Sequence, residues 1–167
     1  MDKKTGDYYF NIFLNLIRAT YMNIEKDWES LAKESGLTHA QQHALWILNL
    51  DDSLTLDQIQ HIGIWNKSTV SALISRLEKK GYVQKEKYLE NSRIIKIYIT
   101  EQGRKILHDS VINNSALKFM GLFNDFDISE LETFLDTFKK ISRMVNKLDY
   151  EDFENYIKIS SENLLKK

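Results

Sequence analysis

The chain has 167 residues, 43% of them hydrophobic, which fits one domain with or without appended helices and excludes a disordered composition. It has no cysteine and no proline, which excludes disulfides, thiolate metal sites and thiol redox switches and leaves long helices uninterrupted. The formal net charge of −1 hides an asymmetry: residues 61–110 carry ten basic and five acidic side chains between two net acidic flanks, the pattern of one module facing phosphates.

Met1 to Asp7 lacks an apolar segment ahead of a small-residue cleavage site, and no apolar run approaches the ~18 residues of a membrane helix. The expectation is a cytoplasmic, nucleoid-associated protein with no membrane contact. From about Asp7 to Lys33, Phe10, Phe13, Leu14, Ile17, Tyr21, Ile24, Trp28 and Leu31 recur at steps of three and four, predicting a long helix. Tyr9, Ile12, Leu16 and Ala19 add a second apolar face to its first half. Two faces need two partners, the helix's own core and a second subunit.

Gly36 ends that region, and Thr38 with Gln41 reads as a capping box for a helix His39–Leu50. Asp51-Asp52-Ser53 breaks it, and Leu54-Thr55 reads as a short strand. A short helix Leu56–Ile62 follows, with Gly63 placed to end it in a left-handed conformation. Asn66 opens the next helix, reaching about Lys80, with Val70, Leu73, Ile74 and Leu77 as its buried stripe and Gly81 just beyond its end. Tyr82–Tyr88 and Ile94–Thr100 are predicted strands around a polar tip, Leu89–Arg93. In the second, Ile95, Ile97 and Ile99 alternate with Lys96 and Tyr98.

Thr100 caps a helix to about Ile112, and Asn113-Asn114-Ser115 is read as a break before an apolar piece, Ala116–Phe123. Ser129 with Glu132 is a second capping box, opening a helix that carries Leu131, Phe134, Leu135, Phe138, Ile141, Val145 and Leu148. The last segment, Tyr150–Leu165, is weakly amphipathic through Phe153, Tyr156, Ile157 and Leu164. With no repeat and no long linker, the reading is one compact unit, mostly α with a small β wing.

Residues 54–100 then follow one order: strand, short helix, turn, helix, strand, polar hairpin, strand. That is a helix-turn-helix with a two-stranded wing. A helix fits the major groove, where Ser68, Thr69, Ser71 and Ser75 allow close approach and Asn66, Lys67 and Arg76 add reach. Arg93 on the hairpin, with Lys85, Lys87 and Lys96 nearby, suits phosphates or the minor groove.

Lys67-Ser68-Thr69-Val70, Arg76 through Val83, Asn91-Ser92-Arg93 and Tyr98-Ile99-Thr100-Glu101-Gln102-Gly103 together resemble the MarR family of bacterial regulators. Asn23–Trp28, His43–Ile47 and Gly63–Thr69 are similar to its Hpr branch, which represses protease-production and sporulation genes. The resemblance implies a single domain over 1–167, with a winged-helix lobe at 38–112 and dimerisation helices at 7–35 and 115–167. The apolar candidates for that homodimer are Phe10, Phe13, Leu14, Ile17, Phe138, Ile141, Val145 and Leu148. It also implies that the helix Asn66–Lys80 enters the major groove and that Arg93 enters the minor groove. The family wing usually reads Asp-x-Arg; here Asn91 replaces the carboxylate that would orient the arginine.

His39 and His43 share a helix face at a spacing that can hold zinc, but no carboxylate is close on that face, so they read as structural histidines and no metal or other cofactor is expected. No phosphate loop, nucleophile elbow or acid–base pair at useful spacing is present, and no enzyme is expected. Trp28, Trp46 and Trp65 read as core anchors, with Trp65 and Tyr21 alternatively lining a small-molecule cleft. The expected function is a homodimeric duplex-DNA-binding repressor acting on a pseudo-palindromic operator. The alternatives are a sensor gated by an aromatic small molecule or a metal, and a winged-helix protein-interaction module that does not touch DNA.

Overall fold

The computed structural model describes residues 2–51, 53–88, 91–111, 121–145 and 150–164. The elements in order are α1 (Lys3–Glu34), α2 (His39–Leu50), β1 (Leu54–Thr55), α3 (Leu56–Gly63), α4 (Lys67–Lys79), β2 (Val83–Tyr88), β3 (Asn91–Ile99), α5 (Glu101–Val111), α6 (Ile128–Val145) and α7 (Tyr150–Leu164). The fold class is as expected, mostly helical with a three-stranded antiparallel sheet in the order β1-β3-β2. The core lies between α2, α3, α4, α5 and this sheet, around Leu45, Ile47, Leu48, Ile59, Ile74, Leu77 and Ile97.

Local signals set most helix starts. Thr38 and Gln41 form the expected capping box, and Thr55 with Gln58 forms another that opens α3. Asp2 caps α1 by accepting from the Thr5 N–H at 3.1 Å, so α1 starts four residues earlier than its apolar period suggests. At 32 residues it is roughly 48 Å long, and of its residues only Leu31 and Ala32 are buried. The cap of α6 is Asp127, not Ser129: its carboxylate accepts from the Ser129 N–H at 2.8 Å and the Ser129 hydroxyl at 2.7 Å.

Gly63 does not end α3 in a left-handed conformation; Ile64 does, at φ 54°, while Gly63 remains helical. The cause is Trp65. A Cβ on Gly63 would stand 2.3 Å from Trp65 Cε3, so glycine is required there to let the ring in. The left-handed position therefore falls to a β-branched residue, at a cost of about 1–2 kcal/mol. The N–H groups of Ile64 and Trp65 donate to the carbonyls of His61 (3.4 Å) and Gln60 (3.1 Å), the closure that Gly81 makes after α4.

β3 begins at Asn91, and its pairing with β2 shifts register between Lys87, opposite Ile95, and Tyr88, opposite Asn91. Arg93 therefore sits within the strand beside this irregularity rather than at the hairpin tip. Of the alternating isoleucines, Ile97 and Ile99 are buried, but Ile95 is 43% exposed. The short β1 covers β3 only at Lys96 and Ile97, so Ile95 projects beyond the core with the wing.

α5 is clasped to the start of β2. The Thr100 N–H donates to the Tyr82 carbonyl at 3.0 Å, its hydroxyl to the Gly81 carbonyl at 2.7 Å, and the Gly103 N–H to that hydroxyl at 3.0 Å. A Cβ on Gly103 would lie 2.1 Å from the Tyr82 carbonyl oxygen. Gly103→Ala is thus expected to lower stability by about 2 kcal/mol, because backbone must move to admit one methyl group. Thermal unfolding measures this, and an unchanged Tm would show that α5 separates from the strand without cost. The expected helix end at Ile112, the break Asn113–Ser115, the residues 116–120 and Leu148 lie outside the described residues.

Candidate nucleic-acid interface

α4 has a sharp division of faces. Val70, Leu73, Ile74 and Leu77 are buried against the core, while Lys67, Ser68, Thr69, Ser71, Ala72, Arg76 and Lys79 are exposed and Ser75 is half-buried. Asn66 is its N-cap. Its Oδ1 accepts from the Thr69 N–H (2.8 Å), the Thr69 hydroxyl (2.8 Å) and the Ser68 hydroxyl (2.7 Å). Lys67 stands 3.8 Å from Asp57, a pair so exposed that it holds the lysine only weakly. The acid on α4, Glu78, is tied to Lys85 of β2 at 2.5 Å, which leaves a basic and hydroxyl-rich surface around it.

The predicted contact residues are not all on this surface. Asn66, Lys67, Ser68, Thr69, Ser71 and Arg76 share α4 and its cap, and Arg93 is exposed on the wing. Lys96 is half-buried instead. Its ammonium lies 4.7 Å from the Tyr88 ring centroid and donates to Ser53 Oγ at 3.3 Å, so it braces the sheet.

The predicted dimer residues keep apolar surface outward. Phe10 is 61% exposed, Leu14 47%, Phe138 38% and Val145 69%. Phe13, Ile17 and Ile141 are half-buried. α6 contributes no buried residue at all, although Phe134 and Phe138 stack at 5.7 Å and most of its apolar side chains lie along one side.

α7, assigned from sequence to dimerisation, packs on this chain's own α3 and α2. His61 Nδ1 is 3.0 Å from Asp152 Oδ2, and Asn163 Nδ2 donates to the Leu50 carbonyl at 2.8 Å. Between α1, α2, the α3–α4 turn and α7 lies a cleft of about 710 Å³, lined by Tyr21, Trp28, His43, Trp65, Phe153 and Tyr156 among others. His43 packs 5.3 Å from both Trp28 and Trp65. Burial, and secondarily His39, push its imidazole down to a pKa of about 4, so it is neutral at pH 7. Burial pushes the Tyr156 phenol up. Glu25 of α1 approaches His39 at 3.9 Å, a carboxylate invisible within the α2 sequence. Among the described residues no group of three or more histidines and carboxylates is placed to share an ion. No described helix is long and apolar enough to cross a membrane. The sequence pointed to Tyr21 and Trp65 for this cleft but not to Phe153 and Tyr156, whose only signal was the weak amphipathicity of the last helix.

A MarR family model matches residues 37–95, covering α2 to most of β3. The HTH-type transcriptional regulator SarZ of Staphylococcus aureus is 30% identical over 130 residues, 77% of this chain and 84% of SarZ. The DNA-binding transcriptional repressor ScoC of Bacillus subtilis is 30% identical over 105 residues, 63% of this chain; the match spans only about half of ScoC, 52%. The crystal structure of a MarR family regulator from Silicibacter pomeroyi superposes with a TM-score of 0.68 over 80% of this chain and 90% of that one, at 21% identity. With a family model over residues 37–95 and a regulator 30% identical over 77% of its length, the chain belongs to the MarR family.

Proposed function

We propose that this chain is a transcription regulator, a repressor rather than an enzyme, that binds a pseudo-palindromic duplex operator as a homodimer. The observation that carries the reading is the division of α4 into a buried apolar stripe and an exposed face of hydroxyls and cations. Such a helix fits the major groove with its first turn at the base edges, and the exposure of Arg93 supports a contact with phosphates or the minor groove. The unburied apolar side of α6 and the first half of α1 support pairing of two chains, which would set the half-sites about one helical turn, ~34 Å, apart.

Fluorescence anisotropy with genomic fragments across a salt series tests this. The affinity should fall steeply with salt, and Arg93→Ala should flatten the log–log slope by roughly one unit. A protein that ignores duplex even at low salt would instead be an interaction module.

The cleft favours a second reading, that a small aromatic ligand gates DNA binding. Tryptophan, tyrosine and neutral imidazole walls suit an uncharged or phenolic ring. A phenol present at a hundred times its Kd should stabilise the fold by about 2.7 kcal/mol, a clear rise in Tm. A flat Tm across a phenolic panel would leave an ungated repressor.

A further inference from the structure

The geometry points to a restriction on what the first turn of α4 reads: the hydroxyls of Ser68 and Thr69 meet DNA only as hydrogen-bond acceptors, and so select base edges bearing an amino group, adenine N6 or cytosine N4. This rests on the DNA-binding reading above and goes beyond it to the chemistry of specificity.

The orientation of the Asn66 amide decides the matter. Its cap atom lies 2.8 Å from the Thr69 backbone N–H, and only the amide oxygen can accept from an N–H, so the atom there is Oδ1 and not Nδ2. The Ser68 and Thr69 hydroxyl oxygens lie 2.7 and 2.8 Å from that same oxygen. Oxygen with oxygen at this distance requires a proton between them, and Oδ1 has none to give. Each hydroxyl carries one proton, so both protons are directed at Asn66 Oδ1, whose two lone pairs they share with the Thr69 N–H.

What the two exposed hydroxyls retain is lone pairs. Phosphate oxygens, guanine O6 and N7, and thymine O4 are all acceptors, and against them these lone pairs repel. The major groove offers donors only at the amino groups of adenine and cytosine. The Asn66 amide has the opposite character: with Oδ1 occupied by the cap, Nδ2 offers only donors toward acceptor edges or phosphate. A cap residue thereby positions two neighbours and sets the polarity of their readout. Serine and threonine that would otherwise suit either kind of partner are restricted to one.

The test begins with duplexes enriched by this protein from a randomised library. In the enriched site, each adenine is replaced in turn by purine, and each cytosine by 2-pyrimidinone, which keep the ring and delete the amino group. At one or two positions per half-site the wild-type protein should lose affinity roughly three- to tenfold, the worth of one hydrogen bond. Ser68→Ala or Thr69→Val should be indifferent to the same deletion at its own position, while keeping the wild-type salt slope. Wild-type protein that tolerates every amino deletion overturns the inference, as does a Ser68→Ala protein that loses affinity equally for every duplex while keeping the wild-type sensitivity to each amino deletion, which would mean a donated bond to phosphate. A library from which nothing is enriched overturns the DNA-binding reading as well, and so is distinguishable from either result.

Discussion

Phe138→Glu is expected to turn the proposed dimer into a monomer and to weaken operator binding by about a hundredfold or more. Phe138 stacks on Phe134 in a helix that buries nothing within its own chain, and it is 38% exposed there. A carboxylate at the centre of such an apolar contact must either be desolvated, at several kcal/mol, or keep the surfaces apart. A dimer binds its second half-site intramolecularly, and losing that linkage removes an avidity of about 10²–10⁴ without touching one DNA contact. Sedimentation velocity and anisotropy at matched salt measure the two effects. Phe10→Asp, from the other apolar helix, should reproduce both. A variant that stays dimeric and binds as before would mean that these faces serve another contact.

Stability should be highest above about pH 7 and should fall as the pH drops, with His43 as the cause. Its pKa lies near 6.5 in the unfolded chain and is pushed down to about 4 in the folded one, first by burial among Trp28 and Trp65, then by His39. Between these values the unfolded chain binds a proton that the folded chain refuses, so protonation favours unfolding. The contribution is fully present above the unfolded pKa and falls by about 2 kcal/mol at pH 5 and about 3 kcal/mol in all below pH 4. Urea titrations between pH 7.5 and 5 keep most carboxylates ionised, and comparison with a His43 variant separates this imidazole from the other three histidines. His43→Gln should flatten the profile over that range. If the variant kept the wild-type slope, another group would be responsible. The neutral imidazole keeps one wall of the cleft uncharged, beside the Glu25 carboxylate that also lines it.

How much was legible in the sequence follows from the range of the forces involved. Thr38 with Gln41 and Asn66 with Thr69 act within four residues, and the apolar stripe of α4 repeats within two turns. The helix pair, the wing and the two faces of α4 could therefore be read directly, and the order of these elements pointed to the family. Even a local signal failed where two candidates competed, as when Asp127 and not Ser129 capped α6. What the tertiary structure alone decided depends on partners far along the chain. Trp65 takes the space of a Gly63 Cβ and moves the left-handed residue to Ile64. Asp152 reaches His61 across 91 positions, and α7 settles on its own lobe. Lys96 turns to Tyr88 and Ser53, contacts that no short-range pattern announced. A hydrogen-bonded cap is a property of a short peptide, whereas the burial of His43 and the walls of its cleft exist only once distant helices exclude water together.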